Sequence, residues 1–190
     1  MNEIILGCLI ITIISFSILI IYNIIIIKKF GIPSSLSESY YILNNYHKGY
    51  GDFFTGMMFS MGLTLLPAWL ELGKVLSSWS YYLNPLAFFT CAAICFVGAA
   101  PAFRDSSMEN KVHMIDAKTA AVCALSWCFI AVPGRSWWDI LIPLLSSGVV
   151  AGVGAMTGTW KKNSVYWLEM MCFGPTFLTV ITELIIQLCK

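Results

Sequence analysis

The chain has 190 residues, of which 58% are hydrophobic and only 11% charged, and its net charge is +1 at pH 7. A soluble domain carries roughly 25% charged residues, so this composition excludes an ordinary soluble fold. It also excludes nucleic acid as a partner, because Lys and Arg form no patch larger than a pair.

Long apolar runs recur along the sequence at approximately 4–27, 53–73, 79–101, 115–133, 137–159 and 165–189. About 20 apolar residues cross a bilayer as a helix, and in hydrocarbon every backbone N–H and C=O has to be satisfied within the segment. The expected fold is all-α: a polytopic membrane protein with six transmembrane helices in one bundle, a single domain over residues 1–190. The first run begins after Met1-Asn2-Glu3 and ends at Lys28-Lys29. It lacks the positive leader and small-residue cleavage site of a signal peptide, so it is expected to persist as the first span. Loops after the first, third and fifth spans hold Lys28, Lys29, Lys48, Arg104, Lys111, Lys161 and Lys162, against Lys74, Arg135 and Lys190 on the other side. Cytoplasmic loops collect the positive charge. This split predicts a multi-pass protein of the cell membrane with both termini outside.

The connector between the first two spans, residues 33–50, reads as a short amphipathic helix at the membrane surface. Ser35-x-x-Glu38 is a capping-box pattern, and Leu36, Tyr40, Leu43 and Tyr50 recur at roughly helical spacing. Its four tyrosines, Tyr40, Tyr41, Tyr46 and Tyr50, suit the headgroup layer, where an apolar ring and a wet hydroxyl are both satisfied. The segment serves either as an ordered connector or as a lid over a cleft.

In the third span Asn84-Pro85 invites a kink, since the ring removes a helix hydrogen bond. In the fifth, Gly148-x-x-x-Gly152 and Gly154-x-x-x-Gly158 form a flat groove for close helix approach, used inside the bundle or as the contact of a homo-oligomer. Trp137, Trp138, Trp160 and Trp167 lie where aromatic belts are expected. The seven cysteines all fall inside apolar runs, and their odd number argues against a disulfide framework. Cys91 and Cys95 are read as packing residues, because no His or second Cys pair accompanies them.

Ionisable groups within a membrane are expensive and therefore informative. In the last span Glu169, Thr176, Glu183 and Gln187 keep within about 40° of one line at ~100° per residue, with the glutamates about 21 Å apart. This polar stripe is expected to face the protein interior or a wet cleft; the alternative hydrates each glutamate at its own interface. A second group lies at the junction of the third and fourth spans. If that stretch is helical, Asp105, Glu109, His113 and Asp116 share about 80° of arc. Carboxylates beside an imidazole suit a headgroup site, acid–base chemistry or a metal, and a solvated loop is the plainer reading. Only two histidines exist, His47 and His113.

Pro33-x-Ser35-x-Ser37 after the first span, Val97-Gly98-Ala99-Ala100-Pro101 closing the third and His113-x-x-x-Ala117 opening the fourth make up a pattern. It resembles six-helix membrane proteins of the DRAM-like type and an uncharacterised prokaryotic family of the same layout. The resemblance implies a lipid-associated bundle without established enzyme chemistry, in which the serine loop and His113 mark the ends of one cleft. In the DRAM-like proteins the loop after the first span is expected on the non-cytoplasmic side, opposite to the side the charges favour here.

The function expected from these readings is a non-catalytic, lipid-associated membrane protein with a polar cleft lined by its last helix. Its partners are membrane lipids, no cofactor or metal is implied, and the ligand-facing residues are Glu169, Thr176, Glu183, Gln187, His113, Asp116 and Glu109. Two alternatives use the same features. One is a small oligomeric channel or transporter with the stripe as its pathway; the other is a metal-dependent intramembrane hydrolase built on His113, Asp116 and Glu109. A bare interaction subunit without a small-molecule site is a third.

Overall fold

The computed structural model describes residues 2–76, 84–99, 107–131 and 137–190, with the side chains of 107–114, 130–131 and 137–140 outside that description. The described residues form seven α-helices and no strand: α1 (Asn2–Phe30), α2 (Glu38–Tyr46), α3 (Asp52–Leu76), α4 (Asn84–Ala99), α5 (Ser107–Ala131), α6 (Trp137–Met156) and α7 (Ser164–Leu188). Three of them, α1, α3 and α7, are long and apolar enough to cross a membrane, and Asn84–Ala99 and Leu141–Met156 are shorter apolar helices. The all-α class is as expected. The described residues thus contain three such helices where six spans are expected; the expected spans 79–101, 115–133 and 137–159 each include residues outside that description. α5 begins at Ser107, before the expected 115, so its first half includes Glu109, Lys111, His113, Asp116 and Lys118.

In α1 the buried residues are Ile5, Cys8, Thr12, Ser15, Leu19, Asn23 and Ile26, each three or four after the last. That spacing gives one narrow seam. The rest of the surface is mostly isoleucine, with Ile4, Ile14, Ile21 and Ile25 each more than half exposed. Polar atoms in the seam are satisfied locally: Thr12 Oγ1 donates to the Cys8 carbonyl at 2.7 Å, and Ser15 shares a 2.6 Å hydrogen bond with Thr64 of α3. A helix with an apolar outside and a polar inner seam is suited to hydrocarbon and not to water. Gly31 closes it at φ +84°, its N–H reaching the Ile27 carbonyl at 3.0 Å. Only glycine takes that left-handed C-cap readily.

The helices form a closed circuit of neighbours. α3 packs on α1 and α4, α4 on α5, α5 on α7, and α7 back on α1; α3 also meets α7 across the interior. Among the described residues α7 is the one extensive neighbour of α6. Trp69 of α3 and Trp127 of α5, with ring centroids 5.6 Å apart, fill the middle with Met61, Leu65 and Phe177.

The glycines that bring backbones together are Gly62 and Gly98. A Cβ on Gly62 would meet the Cys95 Sγ at 2.6 Å and the Cys91 carbonyl oxygen at 2.8 Å; one on Gly98 would meet Met58 Cβ at 2.6 Å. Cys91 and Cys95 thus do serve packing, against α3. The glycine motif of α6 divides instead. Around Gly148 and Gly152 an added Cβ meets no atom of the described residues within 4 Å, Gly154 lies against Trp160 and Trp167, and Gly158 turns the chain at φ +66°. Trp167, expected in an aromatic belt, is 7% exposed, with its Nε1 donating to Thr159 Oγ1 at 3.1 Å. Pro85 is the second residue of described α4, and the kink expected at Asn84-Pro85 depends on residues before it that lie outside the described residues.

Candidate polar cleft between the last helix and the connector

The polar groups Glu169, Thr176, Glu183 and Gln187 lie along one side of α7. Thr176 and Glu183 are buried at 3% and 1% exposure, while Glu169 and Gln187 are half-buried at the two ends of the stripe. On the opposite side Leu168 and Ile185 are exposed at 53% and 45%. The stripe therefore faces the bundle interior. Thr179, not included in the expected stripe, is buried there too. Thr176 Oγ1 donates to the Cys172 carbonyl at 2.7 Å. Pro175 lies inside the helix, so the Met171 carbonyl has no i+4 N–H to accept.

At the start of α7 the stripe meets the connector. Glu169 Oε2 accepts the backbone N–H of Leu36 at 2.6 Å. Three further bonds fix the same contact. Asn163 Nδ2 donates to the Ile32 and Pro33 carbonyls, and the Tyr166 N–H donates to the Ser34 carbonyl at 3.0 Å. The Tyr166 hydroxyl donates to Asn23 Oδ1 of α1 at 2.8 Å, and Asn23 Nδ2 in turn donates to the Leu19 carbonyl. A loop lying on a helix end must find partners for its own backbone groups. Here the side chains of Asn163 and Glu169 supply them.

The connector orders itself by the serines that sequence singled out, with one shift. Ser35 Oγ accepts the Glu38 N–H at 3.2 Å, as a capping box requires, but the Glu38 carboxylate reaches back to the N–H of Ser34 and not to that of Ser35. Ser39 Oγ donates to the Leu36 carbonyl and shares a 2.6 Å hydrogen bond with the Tyr22 hydroxyl of α1. Tyr40 lies against Phe54 and covers Gly51, where a Cβ would come within 2.6 Å of its ring. The short helix expected in this segment is present as α2.

Of the seven expected site residues, four form the α7 stripe. Asp116, half-buried on α5, is drawn into an interaction of its own. Glu109 and His113 lie on helical backbone, as their grouping requires, but their side chains are outside the described residues, as is Asp105 altogether. Among the described residues no three His, Cys, Asp or Glu side chains come together as a metal site would need. Sequence reading missed Asn163, Tyr166 and Asn23. The one available signal was Asn23, the lone amide in an isoleucine-rich span, where a polar group implies a partner. The chain matches no protein-family model, no curated protein and no solved structure.

Proposed function

We propose that this chain is a six-span membrane protein that binds lipid without chemically changing it. In this reading the inward stripe of α7 lines a polar cleft and the connector caps its Glu169 end. The observation that carries the proposal is the sidedness of α7: Thr176 and Glu183 are buried while Leu168 and Ile185 are exposed. A carboxylate facing lipid costs roughly 2.5–3.5 kcal/mol on insertion scales, so an inward Glu183 fits a helix in hydrocarbon. Polar groups gathered inside an apolar bundle are what a lipid's ester or headgroup would need once it leaves the bilayer.

The channel reading draws on one observation of its own, the open face at Gly148 and Gly152, which suits a subunit contact. Against it, the stripe lies inside the bundle and not on that face, and the connector holds the Glu169 carboxylate.

Native mass spectrometry of the protein released from bilayer particles tests the lipid reading. We expect a lipid retained under activation that strips the surrounding shell, and about tenfold lower retention in a Thr176→Val, Glu183→Leu double variant. Equal retention in both proteins would remove the cleft.

A further inference from the structure

A second feature lies outside the cleft, where α1 and α2 end together. Lys29 folds over two rings: its Nζ sits 3.7 Å from the Tyr46 ring centroid and 5.6 Å from that of Phe30. Phe30 and Tyr46 meet edge to face at 5.5 Å, and the aromatic row continues through Tyr50 to His47 at 4.5 Å and Phe53 at 5.8 Å. Tyr46, Tyr50 and Phe53 are 56%, 40% and 66% exposed. Lys28, Lys29 and Lys48 are also exposed.

From this arrangement we infer that the junction of α1 and α2 is a binding site for the phosphate of an anionic phospholipid. The exposed rings would lie in the headgroup layer, where aromatic side chains are both wetted and buried. They would bring three ammonium groups to phosphate depth. The acids nearest in sequence are Glu38, whose carboxylate accepts the Ser34 N–H, and Asp52, two carboxylates against three ammonium groups. A choline headgroup also favours aromatic faces. Here the Tyr46 face already has a cation over it, so a second cation is repelled and an anion is attracted. The inference rests on the membrane-embedded reading above but not on the cleft.

The test places the full-length protein in bilayer particles of phosphatidylcholine containing a minor fraction of phosphatidylglycerol, and counts retained lipids by native mass spectrometry. Phosphatidylglycerol should be enriched above its bilayer fraction. Lys29→Gln should reduce that enrichment about fivefold, the factor expected for one lysine near a charged membrane surface. Lys29→Arg should keep it, and Lys74→Gln, on another loop, should leave it unchanged. Tyr46→Ala should weaken it without altering net charge, because it frees the Lys29 side chain. Unchanged enrichment in a Lys28→Gln, Lys29→Gln, Lys48→Gln variant would overturn the inference. So would loss of enrichment on adding inorganic phosphate, which would identify a site for the free anion. Thr176→Val, Glu183→Leu should retain the enrichment, so failure of the cleft and failure of this site are read separately.

Discussion

Glu169 and Leu36, 133 residues apart in sequence, are joined by a 2.6 Å hydrogen bond between a half-buried carboxylate and a backbone N–H. Leu36 is 2% exposed, so its amide has little recourse to water if that carboxylate is removed. An unsatisfied buried donor costs about 1–3 kcal/mol. Glu169→Leu should therefore loosen the connector by about that much, seen as faster hydrogen exchange at Leu36. Glu169→Gln, which keeps an acceptor oxygen, should lose less than half as much. Equal exchange in all three proteins would show that the bond does not hold the connector.

Asn163 provides the companion anchor, with its amide on the Ile32 and Pro33 carbonyls. Asn163→Ala is expected to destabilise the contact by roughly 1–3 kcal/mol, and Asn163→Asp to do no better because it has no donor at neutral pH. Limited proteolysis between residues 31 and 37 reports the outcome. Cleavage at the native rate in both variants would count against the anchor.

Glycine substitutions separate the two kinds of helix contact. Gly62→Ala forces a methyl against the Cys91 carbonyl, and Gly98→Ala one against Met58 Cβ. Overpacking of this kind costs about 1–3 kcal/mol, so both should lower the melting temperature. Gly148→Ala and Gly152→Ala meet open space and should leave the monomer's stability unchanged or slightly higher. If instead they dissociate a dimer in native mass spectra, α6 is the subunit contact.

The ammonium of Lys29 beside Tyr46 favours the phenolate and holds that hydroxyl below its ordinary pKa of 10.0. Lys29→Gln should move this titration upward, measured as the difference in tyrosinate absorbance between the two proteins. The sign follows from a depressed folded-state value: any stability linked to the phenolate exists at alkaline pH and is lost as pH falls through that value. Identical alkaline titrations would contradict the contact.

Much of this was legible in sequence because helical periodicity is strong in long segments. The spacing of Glu169, Thr176, Glu183 and Gln187 placed them on one line, and Ser35 with Glu38 marked the start of the short α2. The partner of Glu169 was not legible, because a contact between a carboxylate and a backbone N–H 133 residues away leaves no local pattern. The α6 glycines show a different limit. A Gly-x-x-x-Gly spacing identifies a flat face but not which way it turns, and α6 directs Gly148 and Gly152 away from its neighbour. Gly62 was passed over and Gly98 was read only as part of the Val97–Pro101 pattern, because neither belongs to a Gly-x-x-x-Gly repeat, although each allows close approach of α3 and α4.

The central claim is that the α7 stripe faces inward in a membrane. Spin labels placed singly along 165–187, in a cysteine-free background within bilayer particles, measure it through collisions with oxygen, which concentrates in hydrocarbon. The account predicts an oscillation of about 3.6 residues, with maxima at Leu168 and Ile185 and minima at Thr176, Thr179 and Glu183. Oxygen accessibility at Thr176 and Glu183 equal to that at Leu168 and Ile185, or no oscillation at all, would contradict it.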